Sequence, residues 1–233
     1  MDSAPKQVGD DSDGASRADI TEAASWLRTQ IEMRRPTAGP VQGTWSLGLG
    51  GLLASHPRTP GSVRGLIGKL DRYGGLTISE SGLGIDNSNV TWAEVTEIRT
   101  QNVIDYLMVD GVSTQLDSLP VPRFPGRKRL VSAVSGAIVT LLMAAAEKQI
   151  AAGNDIRIPA EVEYRGMLRS KKLAPGILAA LLLTDPAVNC CFVATATANG
   201  VRVQAAASAN VQDAEQRAAT LKAKLATLQA RTT

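Results

Sequence analysis

Aromatic rings, histidine and cysteine are all scarce in this chain, and each shortage removes a class of function. Phe, Trp and Tyr make up 3% of the 233 residues. The core must therefore be built from Ala, Val, Leu and Ile, and the exposed ring platforms that stack single-stranded bases are not expected. No sequence-specific nucleic-acid partner is expected either. With one histidine, His56, any Ser-His-Asp arrangement, His-based metal site or proton shuttle would hang on a single side chain in a proline-flanked stretch. His56 reads instead as an exposed loop residue.

The two cysteines, Cys190 and Cys191, are neighbours, a geometry that strains a disulfide, so there is no disulfide framework. They also lack the spaced C-x-x-C pairs of a tetrahedral zinc site and a basic neighbour to lower a thiol pKa, and they read as buried packing. Charge of one sign is not in excess, with 25 basic against 22 acidic residues. No catalytic residue, metal site or cofactor is assigned. Gly48-Leu49-Gly50-Gly51 is glycine-rich, but it has neither G-x-G-x-x-G spacing nor the lysine of a phosphate loop, and G-x-S-x-G and H-E-x-x-H are missing. The N-terminal stretch has no basic region followed by an apolar one, which fits a cytoplasmic chain.

What is present is a hydrophobic content of 44%, enough for a substantial core. Residues 1–18 are polar and read as a disordered tail. A helix over 19–36 opens on Asp19 and Glu22, carries Ile20, Ala24, Leu27 and Ile31 on one face, and stops at Pro36. Residues 39–75, dense in Gly and Pro, predict loops with one or two short strands or a short helix. Leu76 to Ile78, Gly82 to Ile85 and Val90 to Trp92 alternate as strands around a polar turn at Asp86-Asn87-Ser88. Val95 and Ile98 continue the pattern, and Leu107-Met108-Val109 with Asp110-Gly111 predicts a further hairpin.

After the proline-punctuated segment 120–126, a helix over 127–151 carries Val131, Val134, Ile138, Leu141 and Ala145 as a one-sided stripe. A strand follows from Ile156, then a helix after Pro175-Gly176, then a buried helix between Asp185-Pro186 and Asn199-Gly200. Over 210–231 the seam Val211, Ala214, Ala218, Leu221, Leu225, Leu228 and Thr232 predicts an amphipathic helix that packs on the core or on a second copy through Leu221, Leu225 and Leu228.

The order strand, strand, Trp92 with Val95 and Ile98, hairpin and long helix from Arg127 resembles the later half of pleckstrin-homology-like domains, in particular GRAM-type and bacterial variants. The resemblance covers residues 75–151, within a sheet-and-helix domain of 39–151. It implies a curled seven-stranded sheet whose first strands come from 39–72, and binding of lipid or protein rather than catalysis. The expected fold is α+β: a small antiparallel sheet capped by a helix, then a mainly helical extension, with a strand and helices over 155–204.

Two basic clusters carry the candidate site. Arg123, Arg127, Lys128 and Arg129 surround the first turn of a helix, where free N–H groups already make cations unfavourable unless an anion is shared. That anion is a lipid headgroup phosphate, an acidic protein surface, or simply local carboxylates. Arg165, Arg169, Lys171 and Lys172 form the second cluster. The uncharged run Leu130 to Ala146 fits either a soluble helix or a short membrane span. The leading expectation is a non-enzymatic binding or adaptor protein, peripheral to the cytoplasmic membrane face. Alternatives are an enzyme or small-molecule binder with an unrecognised site, and a homo-oligomeric assembly protein.

Overall fold

The structure, a computed structural model, describes residues 15–68, 71, 74–108, 127–152, 156–167 and 169–205. The alternation after Gly74 produces the strands it predicts. β1 (Thr44–Gly48), β2 (Gly75–Ser79), β3 (Gly82–Ile85) and β4 (Ser88–Thr91) form an antiparallel sheet in that order. Register pairs Leu47 with Leu76 and Leu76 with Ile85. Leu47, Leu76, Ile78, Leu83 and Ile85 thereby share the buried face. The β3–β4 turn places Asp86 at φ 51°, a left-handed conformation that Asp tolerates better than most residues. Between β1 and β2 lie two short helices, α2 (Leu49–Ser55) and α3 (Gly61–Gly68).

Trp92 turns the chain out of the first sheet; it is buried, and its indole N–H donates to the Ser79 carbonyl at 2.8 Å. β5 (Val95–Asn102) then begins a second sheet with β6 (Arg157–Arg165), β7 (Ser170–Leu173) and β8 (Arg202–Ala205), in the order β7-β6-β5-β8. The β5/β6 and β6/β7 pairs are antiparallel, and β5/β8 is parallel. Ile98 and Val162 are paired and wholly buried.

One expectation changes here. Leu107 and Met108 belong to a helix, α4 (Val103–Met108), and not to a strand. Asn102 accepts the Asp105 N–H at 2.8 Å, starting a turn that buries Val103, Ile104 and Tyr106 on one side. The rest of that expected hairpin, from Val109, lies outside the described residues. The described part of the segment after the long helix supplies β6, β7 and β8 beside its helices. Among the described residues, five strands precede the long helix and three follow it.

α1 (Arg17–Met33) starts two residues earlier than Asp19 implies. Ser16 is the N-cap, and its hydroxyl accepts the Asp19 N–H at 3.2 Å while the Asp19 carboxylate accepts the Ser16 N–H at 3.0 Å. α5 (Arg127–Ala152) is the long helix. It is long and apolar enough to cross a membrane. Its stripe of Ala133, Val134, Ala137, Ile138, Leu141, Leu142 and Ala146 is buried, with α1, α4 and α6 (Ile177–Thr184) packed against the helix. Gly136 permits the close crossing with α1, because a Cβ there would sit 2.9 Å from Ile20 Cδ1. α6 is buried from Ile177 through Leu183, which explains an apolar run without a stripe. Asp185 caps α7 (Pro186–Ala198), with its carboxylate accepting the N–H groups of Ala187 and Val188. Residues 1–14 and the seam with Leu221, Leu225 and Leu228 lie outside the described residues.

Candidate functional site

One member of the first basic cluster, Arg129, is answered from within. The α1/α5 crossing brings Arg129 to Asp19, with Nε 2.9 Å from Oδ2 and Nη2 3.1 Å from Oδ1. Arg58 reaches the same carboxylate at 2.8 Å and Glu22 at 2.6 Å. Asp19 is 4% exposed, and the Arg58, Ser16 and Arg129 hydrogen bonds hold its carboxyl far below the ordinary range. The cation conflict at the start of α5 is thus relieved by a buried carboxylate for Arg129. Lys128 is exposed. Arg123 and the side chain of Arg127 lie outside what the structure describes.

His56 is buried, contrary to the loop reading. Its Nδ1 accepts the Arg58 N–H at 3.2 Å, its ring meets the edge of Trp26 at 4.7 Å, and burial pushes its pKa down, with Arg58 adding to the effect. It packs the loop that delivers Arg58 to Asp19. The glycine cluster has an equally internal role. Asp71 Oδ1 accepts the Gly51 N–H at 2.7 Å in the first turn of α2, and a Cβ on Gly50 would fall 2.5 Å from the Ile67 carbonyl. Cys191 is buried, but Cys190 is exposed, so only one thiol is core packing.

The second cluster is brought together at one end of the second sheet. The Gly166 N–H donates to the Arg169 carbonyl at 3.0 Å, which closes the four-residue connection, residues 166–169, between β6 and β7. The hairpin is tied to its sheet where the Arg165 N–H donates to the Glu94 carbonyl at 2.9 Å. Gly166 is required by the close return of the chain, because a Cβ there would sit 2.7 Å from the Arg169 carbonyl oxygen. Lys171 lays its aliphatic stem over this glycine, with Cε 3.0 Å from the same point.

Strand alternation sends Lys172 to the outer face of the sheet. There it pairs with Glu161 at 3.0 Å, beside Arg99, which reaches Glu97, Glu161 and Glu163. Arg165, Arg169 and Lys171 are exposed, and among the described residues no carboxylate pairs with them. Met167, at the apex, is 99% exposed. Three cations without a carboxylate partner among the described residues therefore flank an exposed apolar side chain. Sequence reasoning found the basic residues but not Met167, whose signal was an apolar side chain in a short connection where Gly, Asn, Asp, Ser or Pro is usual.

Other polar groups in the interior hold elements together. The Asp86 carboxylate accepts the N–H groups of Gly75 at 3.1 Å and Gly176 at 2.8 Å, and burial pushes its pKa up. The Tyr106 hydroxyl donates to the Pro175 carbonyl at 3.0 Å. Together they tie the first sheet and α4 to the loop that starts α6. Among the described residues no group of three His, Cys, Asp or Glu side chains is close enough to hold a metal ion. Comparison with models of known protein families, with curated proteins and with solved structures finds no match.

Proposed function

We propose that this chain is a non-enzymatic binding or adaptor protein that engages an anionic surface through the β6–β7 hairpin. One observation carries the reading: Arg165, Arg169 and Lys171 lie exposed at one hairpin and have no carboxylate partner among the described residues, while the carboxylates of the same sheet are engaged with Arg99 and Lys172. Free cations at a projecting tip are positioned to meet phosphates or carboxylates that approach from outside. The reading rests on this hairpin and not on the pleckstrin-homology-like resemblance. It transfers the site from the start of α5, where Arg129 is already paired, to the second cluster. It places the protein at the cytoplasmic face of a membrane or on an acidic protein.

The test is binding of the purified chain to anionic vesicles and to immobilised polyglutamate, at low and high salt, beside an Arg165→Glu/Arg169→Glu/Lys171→Glu variant. Each basic side chain held near an anionic bilayer contributes about 1 kcal/mol, so removing three weakens binding at least about a hundredfold. Salt-sensitive binding to either surface that the variant loses supports the reading. A wild type that ignores both surfaces, or a variant that binds equally well, overturns it.

A further inference from the structure

The geometry points to a specific occupant for this tip: an anionic lipid bilayer, into whose interfacial region Met167 inserts while Arg165, Arg169 and Lys171 remain at headgroup level. This inference rests on the anionic-surface reading and adds the chemistry of the partner. A four-residue hairpin connection gains nothing locally from an apolar side chain, since turns are stabilised by Gly, Asn, Asp, Ser or Pro. Yet the sequence places Met167 there, and it makes almost no contact with its own protein.

The arrangement is vertical. Met167 stands in the connection, Arg169 closes it, and Arg165 and Lys171 follow behind it, one on each strand. A bilayer presents the same order in reverse, with anionic phosphates outside and hydrocarbon beneath. Arg and Lys stems are long enough to keep their charges among phosphates while an apolar neighbour goes deeper. An acidic protein surface satisfies the cations but supplies no apolar layer below them. The short link between β6 and β7, held by the Gly166–Arg169 hydrogen bond, makes the tip a stiff wedge that binds with little ordering cost.

The experiment uses the full chain with Cys190→Ser and Met167→Cys, labelled at position 167 with an environment-sensitive nitrobenzoxadiazole fluorophore; Cys191 is buried and stays unlabelled. A second chain carries the label at exposed Thr37. Vesicles contain equal parts phosphatidylglycerol and phosphatidylcholine, or phosphatidylcholine alone, with and without nitroxide on the acyl chain. Circular dichroism confirms that each variant is folded. On anionic vesicles the fluorophore at 167 should brighten, shift to the blue and be quenched by the acyl nitroxide, and the one at 37 should not change. Met167→Asp in the unlabelled chain should weaken flotation with anionic vesicles by roughly tenfold or more, the loss expected for one inserted Met side chain.

A protein that floats with anionic vesicles while the label at 167 stays in water overturns the inference and leaves the anionic-surface reading standing. Salt-sensitive binding to polyglutamate with no binding to vesicles does the same, and identifies an acidic protein as the occupant. Failure to bind either surface overturns both.

Discussion

Two aspartates, Asp19 buried and Asp86 half-buried, give opposite responses to acid. The Asp19 carboxylate, held by Arg58, Ser16 and Arg129, has a folded pKa below its ordinary 3.8. Its contribution is therefore complete above that value and is lost as pH falls below it. Asp86 is raised above 3.8 by burial, against the lowering effect of the Gly75 and Gly176 N–H groups. Protonation favours the folded state there, so its contribution grows as pH falls through its folded pKa and is complete at about the ordinary value. Thermal unfolding from neutrality down to about pH 2 should show Asp19→Asn removing the acid loss that sets in below the ordinary 3.8. Asp86→Asn should remove the gain above pH 4, and it lowers stability at all pH values, because an amide has one acceptor group for two backbone donors. Tyr106→Phe leaves the buried Pro175 carbonyl without its donor and should cost about 1–3 kcal/mol in denaturant unfolding. None of these pairings is visible in sequence, since Asp19 meets Arg58 and Arg129 from 39 and 110 residues away.

At the level of elements, legibility followed how locally each one is specified. β2, β3 and β4 announce themselves by alternation and tight turns, and α7 by Asp185-Pro186 and Asn199. β8 does not: its four residues are largely exposed, and only parallel pairing with β5 from a hundred residues away makes it a strand. α4 was missed because Leu107-Met108-Val109 before Asp110-Gly111 matches a hairpin, and the Asn102 cap that decides for a helix lies further back. Packing of α7 on the first sheet runs through Phe192, wholly buried and edge-on to Trp92 with ring centroids 6.1 Å apart. In a chain so poor in rings, Phe192→Ala should destabilise by about 3–5 kcal/mol, measured as a shift in the denaturant midpoint at unchanged slope. Gly166→Val is the local counterpart at the hairpin. Its side chain collides with the Arg169 carbonyl, so the tip is reshaped. Vesicle binding should fall while the melting temperature changes little, because the apex buries almost nothing.

Across the whole molecule, the second sheet cancels the division that the sequence invites at about residue 151. β5 lies in the middle of that sheet, with β6 on one side and β8 on the other, and both neighbours come from beyond the long helix. A fragment ending at Ala152 would leave β5 with bare edges, Ile98 without its partner Val162, and the inner side of α5 without the α6 surface that covers it. Those apolar surfaces cannot be repaired locally, since α1, α4 and the first sheet are already committed to their own contacts. The fragment 15–152 is therefore expected to be aggregated or to lack cooperative unfolding, whereas 15–205 should unfold in one transition by circular dichroism. A cooperative, monomeric 15–152 fragment would show instead that the first sheet and the long helix fold independently, with the hairpin carried on a separate unit. The expected outcome has a consequence for binding: a hairpin built on strands that the core requires is held at a fixed angle to the rest of the protein, so a surface that captures the tip orients the entire chain.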